Sequence, residues 1–161
     1  IFAGACGFTY GHNAIMQMAD DSWRPGSYNC WESWKEAIHH PGGDSMAHLA
    51  RLMQEVDFSH GHEASALLDC EQGERYGRIA LFGNEEYLLG YLYRARRITL
   101  REGCLKGPVE VYWMNPLTGV RSYAGETNFR EKRSFQSPAK EYMPNQDWVL
   151  ILRRTRKKEC F

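Results

Sequence analysis

The chain has 161 residues, of which 43% are hydrophobic and 13% aromatic, and its 20 basic and 20 acidic side chains give a formal net charge of zero. This length suits one domain, or a small domain plus part of another. The mean hydropathy is −0.57, and no apolar run approaches the roughly 18 residues that a membrane-spanning helix needs.

The charge is unevenly distributed along the chain. Residues 1–72 hold ten acidic and three basic side chains, a net of −7, and all six histidines, whereas residues 73–161 hold ten and seventeen, a net of +7. We therefore expect two structural units with a boundary near Cys70–Arg75. The basic residues are clustered only at 153–158, which indicates a solvated tail, and nucleic acid is not an expected partner.

The five cysteines are widely spaced, odd in number and form no Cys-x-x-Cys pair. This spacing argues against a structural zinc site. One disulfide is compatible with the count, but the spacing does not identify it. Neither a metal nor another cofactor is expected.

The opening stretch passes from small apolar residues into a glycine-spaced polar and aromatic turn. We predict that Ile1–Cys6 is extended and that Tyr10, His12 and Asn13 lie in the following loop. A strand that ends in such a loop is the usual place for chemistry in a β/α barrel.

A second loop is predicted over Asp20–Asn29 from its Pro, Gly, Ser and Asn content, and it contains Trp23. Asp20 and Asp21 are neighbours, so they do not naturally face a substrate from opposite sides. They are expected to be solvated or to bind substrate hydroxyl groups.

Two helices follow in the prediction. A short one over residues 31–39 ends at Pro41-Gly42-Gly43, and a longer one over Asp44–Val56 takes Asp44 or Ser45 as its N-cap. The longer helix has an apolar face that is predicted to pack on Ile1–Cys6; it contains Met46, Leu49, Met53 and Val56. His39-His40 and His60-x-His62 suggest metal ligands, but no Cys or carboxylate set stands at a recognisable spacing beside them.

The hydrophobic period changes to two from Arg75 onward, after a predicted connector over Phe58–Gln72 that is anchored by Leu67 and Leu68. About seven short strands separated by turns predict an antiparallel sandwich. The last strand is apolar on both sides, which is typical of a strand covered on both faces or of one that packs on the barrel. The predicted strands are Arg78–Phe82, Glu86–Arg94, Arg97–Arg101, Val109–Met114, Val120–Tyr123, Arg133–Phe135 and Trp148–Arg153.

Four segments together resemble the apiosidase-like glycoside hydrolases: residues 3–12, 31–49, 112–119 and 147–150, in the family's order. The resemblance implies an α+β, mainly β fold. Residues 1–72 would be the last β/α piece of a (β/α)8 barrel with its connector. Residues 73–161 would be an antiparallel β-sandwich of the type labelled collagen-binding, although no sequence feature supports collagen recognition.

The resemblance also implies a function. The chain would be the C-terminal portion of a glycoside hydrolase acting on a complex, plant-type glycan, from a secreted or periplasmic parent. Tyr10, His12, Asn13 and Trp23 would bind the oligosaccharide or polysaccharide. The paired catalytic carboxylates come from earlier barrel strands in the family, so no catalytic residue is expected here, and the chain alone should be inactive. The alternative is a non-catalytic sandwich that binds carbohydrate or matrix.

Overall fold

The computed structural model describes residues 1–23, 30–138 and 146–155. Residues 24–29 of the predicted loop over Asp20–Asn29, residues 156–158 of the basic cluster and Cys160 lie outside these residues. The described α-helices are α1 (Asn13–Met16), α2 (Trp34–Ala37) and α3 (Pro41–Glu55). The described strands are β1 (His62–Glu63), β2 (Ile79–Gly83), β3 (Tyr87–Leu92), β4 (Arg97–Leu100), β5 (Val109–Met114), β6 (Arg121–Thr127), β7 (Arg133–Gln136) and β8 (Trp148–Arg154).

The strands form two antiparallel sheets. The larger has six strands in the order β1-β2-β3-β8-β5-β6, and β4 pairs with β7 in a separate two-stranded sheet. β8 lies between β3 and β5, so that Ile151 stands opposite both Leu89 and Tyr112. The architecture is mainly β, as predicted. The barrel part of the expected fold stays a prediction.

Alternating residues of the large sheet enter two different cores, because successive side chains of a strand point to opposite faces. On one face, Leu150 and Leu152 of β8 are buried in a core with Ile98 and Leu100 of β4. On the other face, Ile151 and its neighbour Val149 join a core with residues of α3. The apolar final strand is covered on both faces, which is one of the two alternatives predicted for it.

Helix α3 begins three residues earlier than predicted. Its N-cap is His40, and Pro41 occupies the first helical turn, where the missing proline N–H would have had no partner within the helix. The prediction of a break at Pro41 with a cap at Asp44 or Ser45 was wrong; the Ser45 hydroxyl instead donates to the Pro41 carbonyl oxygen at 3.2 Å.

The apolar face of α3 is covered, as predicted, but by the large sheet. Leu52, Met53 and Val56 are buried against Phe82 and Leu89 of β2 and β3. This contact joins the acidic first part of the chain to the β-rich second part in one shared core.

The prediction that Ile1–Cys6 is extended was wrong. The Gly4 N–H donates to the Ile1 carbonyl oxygen at 2.8 Å, which closes a turn, and Gly4 has φ of +93°, a conformation that glycine adopts without steric cost. Ile1 and Phe2 still pack at the edge of the core beneath α3, and the Phe2 ring centroid lies 5.9 Å from that of Tyr91.

The predicted connector is anchored by Leu68, as expected. Leu68 is buried with Ala64 in the core between the sheets, with Leu67 packed beside them, and Leu68 forms a bridge with Leu100 of β4. The boundary near residues 70–75 stays a prediction. Within the described ranges, no helix is long and apolar enough to cross a membrane.

Candidate functional site

A cleft of about 520 Å³ lies between the turn before α1 and the segment before α2. The two helices approach closely because their contact consists of small residues: Ala14, Ala19 and Ala37 are buried together with Cys30. The cleft is lined by Gly11, His12, Asn13, Ala14, Cys30, Trp31 and Glu32.

Each wall of the cleft is fixed by a helix cap. His12 is the N-cap of α1, and its Nδ1 accepts the Ala14 N–H at 3.3 Å. On the other side, Ser33 and Glu36 form a reciprocal capping box at the start of α2, the arrangement that satisfies two free backbone donors at a helix start. Glu32 directly precedes this box, so its position relative to His12 is set by both caps.

Three side chains converge on the cleft from separate parts of the chain. Glu32 Oε1 lies 3.4 Å from His12 Nε2, and Glu32 Oε2 lies 2.9 Å from His40 Nε2. The two imidazoles meet edge to face with centroids 5.1 Å apart. His40 reaches the cluster because it is the N-cap of α3, so the long helix contributes to the cleft through its first residue.

The cap at His12 fixes which ring nitrogen holds the proton. A neutral imidazole has one acceptor and one donor nitrogen. Because Nδ1 accepts the Ala14 N–H, the proton lies on Nε2, the atom that faces Glu32. Both ring nitrogens therefore have partners within the protein.

His12, Glu32 and His40 are also a donor set that suits a divalent metal, since all three ligand atoms lie within 4.8 Å of one another. A histidine that ligates through Nε2 normally donates its Nδ1–H to a carboxylate or carbonyl. His12 has the opposite arrangement, because Nδ1 accepts a backbone N–H. Metal binding through Nε2 would require its proton to move and the cap of α1 to be lost. The geometry favours a contact between the Nε2–H of His12 and the Glu32 carboxylate over a metal centre, and the absence of a metal stays a prediction.

Several aromatic side chains near the cleft are exposed. Trp31 is 81% exposed and lines the cleft, while Tyr10 is 40% exposed. Tyr10 lies over the first turn of α3: a Cβ added at Gly42 would be 2.7 Å from its Oη and 3.3 Å from its ring carbons. Only glycine leaves room for the ring in this position.

The predicted site residues are placed differently from one another. His12 and Asn13 line the cleft, and Tyr10 lies on the neighbouring turn of α3. Trp23 is exposed at 57% and is outside the set of described residues that line the cleft. The role of all four in sugar binding stays a prediction.

Asp20 has a role in loop structure. Its Oδ1 accepts the Ser22 hydroxyl at 2.6 Å and the backbone N–H groups of Ser22 and Trp23, both at 2.8 Å. These hydrogen bonds, the Ser22 hydroxyl foremost, hold the pKa of Asp20 below its usual value. A carboxyl group that is held ionised is a poor proton donor, because catalytic acids of this kind need a raised pKa.

Three residues of the cleft were missed by sequence reasoning as site residues: Trp31, Glu32 and His40. They are separated from His12 by 19 to 28 positions, and hydrophobic periodicity contains no information about such contacts. One usable signal was the Ser33-x-x-Glu36 pattern, which places Glu32 immediately before a helix.

Two further cavities of similar volume are lined by described residues of the β-rich part. One, of about 510 Å³, contains Lys106, Glu126 and Arg130, and its single aromatic lining residue, Phe129, is 4% exposed and offers no face for a sugar ring. The other, of about 530 Å³, is a mostly apolar groove between α3 and the large sheet. In that groove the Tyr91 hydroxyl donates to Asp147 Oδ2 at 2.9 Å, and burial together with this carboxylate raises the pKa of Tyr91 far above its usual value.

Comparison with known proteins gives two family matches. Residues 1–60 match the family described as "Apiosidase-like, catalytic domain", and residues 64–153 match the one described as "Putative collagen-binding domain of a collagenase". No curated protein matches the sequence.

Two solved structures are similar over nearly the whole chain. One, named a glycoside hydrolase, is 30% identical with a TM-score of 0.85, covering 98% of this chain and 35% of that one. A glycoside hydrolase family 5 protein from Bacteroides vulgatus ATCC 8482 is 29% identical with a TM-score of 0.82, covering 99% and 35%. The chain therefore spans about a third of the length of these two proteins.

Proposed function

Because this chain belongs, through residues 64–153, to the family described as "Putative collagen-binding domain of a collagenase", and resembles apiosidase-like catalytic domains over residues 1–60, we propose that it is the C-terminal portion of a glycoside hydrolase. Its substrate is a complex, plant-type glycan. Residues 1–60 contribute to the substrate site, and the β-rich remainder is a structural accessory unit.

One observation supports the substrate site above all others: a single cleft combines an exposed indole, with a tyrosine beside the cleft, and a fixed polar cluster. Trp31 in the cleft wall and Tyr10 beside the cleft have exposed rings for the apolar CH face of a sugar. Asn13 and Glu32 line the cleft with groups that bond to the hydroxyls of the sugar. Ligand sites need both kinds of contact, since apolar surface supplies affinity and a few polar groups fix orientation.

The chemistry of the whole enzyme would be hydrolysis by two carboxyl groups placed across the glycosidic bond. In this proposal both are supplied by parts of the protein outside these 161 residues. His12 acts by position: its ring holds the start of α1 through Nδ1 and contacts Glu32 through Nε2.

The accessory role of the β-rich unit is supported by its contacts with α3. Arg121 of β6 forms a two-pronged ion pair with Glu55 near the end of α3, at 2.6 and 3.1 Å. His40 is the N-cap of α3 and contacts Glu32 in the cleft. A sheet that holds α3 in place therefore also fixes the position of His40 beside the cleft.

The competing function is a sandwich that binds carbohydrate or matrix. Crystals of the chain soaked with oligosaccharides from plant cell walls separate the two. Sugar density against Trp31 and Tyr10 supports the proposed function. Density on the β-rich unit with an empty cleft would contradict it.

A further inference from the structure

We propose that Glu32 is a specificity-determining residue of the cleft, a carboxylate held by two imidazoles that accepts hydrogen bonds from two adjacent hydroxyl groups of a sugar ring stacked on Trp31. This inference rests on the proposed function and deepens it, because it assigns the polar recognition of the substrate to one residue and names the hydroxyl pattern it selects.

The first argument is acceptor capacity. An ionised carboxylate offers about four acceptor positions on two oxygens. His12 contacts Oε1 and His40 contacts Oε2, one imidazole on each oxygen. Each oxygen therefore keeps acceptor capacity for a further donor, and two oxygens on one rigid group match two hydroxyls on neighbouring ring carbons.

The second argument is orientation. A free glutamate side chain loses conformational entropy when it binds a ligand, whereas a glutamate already held in place has less to lose. Glu32 is held at both oxygens, and its side chain is 28% exposed, so it is partly shielded while still lining the cleft. Its carboxylate is therefore already oriented to accept hydrogen bonds before a substrate binds.

The third argument is the neighbouring surface. Trp31 precedes Glu32 in the chain, lines the same cleft and is 81% exposed. A sugar ring that stacks on this indole would lie in the cleft that Glu32 also lines. The stacking contact tolerates many sugars, so the carboxylate is the group that distinguishes one hydroxyl pattern from another.

The test uses the 161-residue chain and ligand-observed NMR. Methyl glycosides of xylose, arabinose, galactose and rhamnose serve as probes, and the strongest binder is compared with its monodeoxy analogues. Glu32→Gln is expected to weaken binding about tenfold or more, as loss of hydrogen bonds to a charged acceptor does. Glu85→Gln, an exposed carboxylate in the turn between β2 and β3, is the matched control and should bind like the parent chain.

The decisive readout is a double-mutant cycle. Removing one of the two adjacent hydroxyls should weaken binding to the parent chain several-fold and have little effect on Glu32→Gln. A purely structural role for Glu32 would leave the preference for the full sugar unchanged. If Glu32→Gln fails to fold, His40→Gln removes one of the two contacts and should weaken binding by a smaller factor.

Three further results would overturn the inference. Equal affinity of Glu32→Gln and the parent chain would contradict it while leaving the proposed function intact. Failure of every probe to bind would contradict both. The third result is a zinc titration in which the ¹⁵N resonances of His12 and His40 shift and EDTA reverses the shift. It would identify the cluster as a metal site instead. The expected spectrum without metal has an unprotonated Nδ1 and a protonated Nε2 on His12.

Discussion

The imidazole of His48 on α3 lies against Gly119 in the turn between β5 and β6. A Cβ added at Gly119 would be 2.5 Å from Nδ1 of His48, and Gly119 has φ of +68°. The same turn is closed by the Gly119 N–H, which donates to the Asn115 carbonyl oxygen at 2.8 Å. This contact and the Glu55–Arg121 ion pair hold α3 on the large sheet at two points.

Gly119→Ala should destabilise the chain by roughly 1–3 kcal/mol, since the left-handed backbone becomes strained and the new methyl group displaces His48. The midpoint of urea unfolding measures the change. Gly43→Ala is the matched control: no atom lies within 4 Å of its added Cβ, and alanine is the better helix former, by about 1 kcal/mol. Equal stability of Gly119→Ala and the parent chain would show that this contact does not hold α3.

Gly42→Ala should affect binding without lowering stability. The new Cβ would meet the hydroxyl end of Tyr10 at 2.7 Å, and this exposed side chain can move away at little cost. Helix propensity at the position improves. We expect sugar binding to weaken several-fold while the urea midpoint stays unchanged or rises, measured on the same preparation. Unchanged binding would mean that Tyr10 does not contact the sugar.

The position of the final strand was predictable because a strand with apolar residues on both sides must have both faces buried. Five consecutive apolar residues, Trp148–Leu152, have no polar side, and the structure supplies α3 on one face and β4 on the other. The face of α3 was likewise readable from the spacing of its apolar residues. Both patterns lie within one short segment, so they predict which faces are buried without information from the rest of the chain.

The errors within the first forty residues have a common physical cause. Whether Ile1–Cys6 is extended depends on a neighbouring strand, which the sequence of the segment does not encode, and Gly4 turns the chain instead. The convergence of His12, Glu32 and His40 depends on how α1, α2 and α3 pack through small residues. Alanine and cysteine contacts give no periodic signal, so the cleft was found in part only.

Tyr91→Phe should change how stability depends on high pH. Burial and Asp147 keep the Tyr91 hydroxyl protonated in the folded chain, where its pKa is raised, whereas in the unfolded chain it ionises near its ordinary pKa of 10.0. Above about pH 10 the unfolded state therefore loses a proton that the folded state retains, and the free energy of unfolding falls as pH rises.

The measurement is urea unfolding from pH 8 to pH 11. At pH 8 Tyr91→Phe should cost about 1 kcal/mol for the lost hydrogen bond to Asp147, and from pH 10 upward its stability should fall less steeply than that of the parent chain. Tyr76→Phe, at an exposed position, should keep the parent slope. Identical slopes for Tyr91→Phe and the parent would contradict the assignment.

Residues 1–72 should not fold alone. The buried face of α3 is covered by strands that begin at Ile79, and the small core around Ala14 buries too little area to offset chain entropy. The isolated segment should show little helix by circular dichroism and should be proteolysed rapidly.

In the whole chain, Leu52→Ala should lower the free energy of unfolding by about 2–5 kcal/mol, because it shortens a fully buried side chain. A protease-resistant, soluble 1–72 segment would refute the prediction that these residues do not fold alone.

The 161-residue chain should have no glycosidase activity by itself. Paired-carboxylate hydrolysis needs a proton donor and a second carboxylate on rigid elements across the bond. Asp20 has a lowered pKa and supports its own loop, Asp21 is its immediate neighbour, and Glu32 contacts two imidazoles.

Aryl glycosides and plant polysaccharides are the substrates for this assay, with near-ultraviolet circular dichroism as the control that the chain is folded. We expect no turnover above that of a mock purification. In a complete enzyme, Tyr10→Ala and His12→Ala should lower turnover less than removal of a catalytic carboxylate, because they affect positioning of the sugar and leave proton transfer in place. Turnover by the chain that disappears in Asp20→Asn, Asp21→Asn or Glu32→Gln would place the chemistry within these residues and overturn the division of labour proposed for the enzyme.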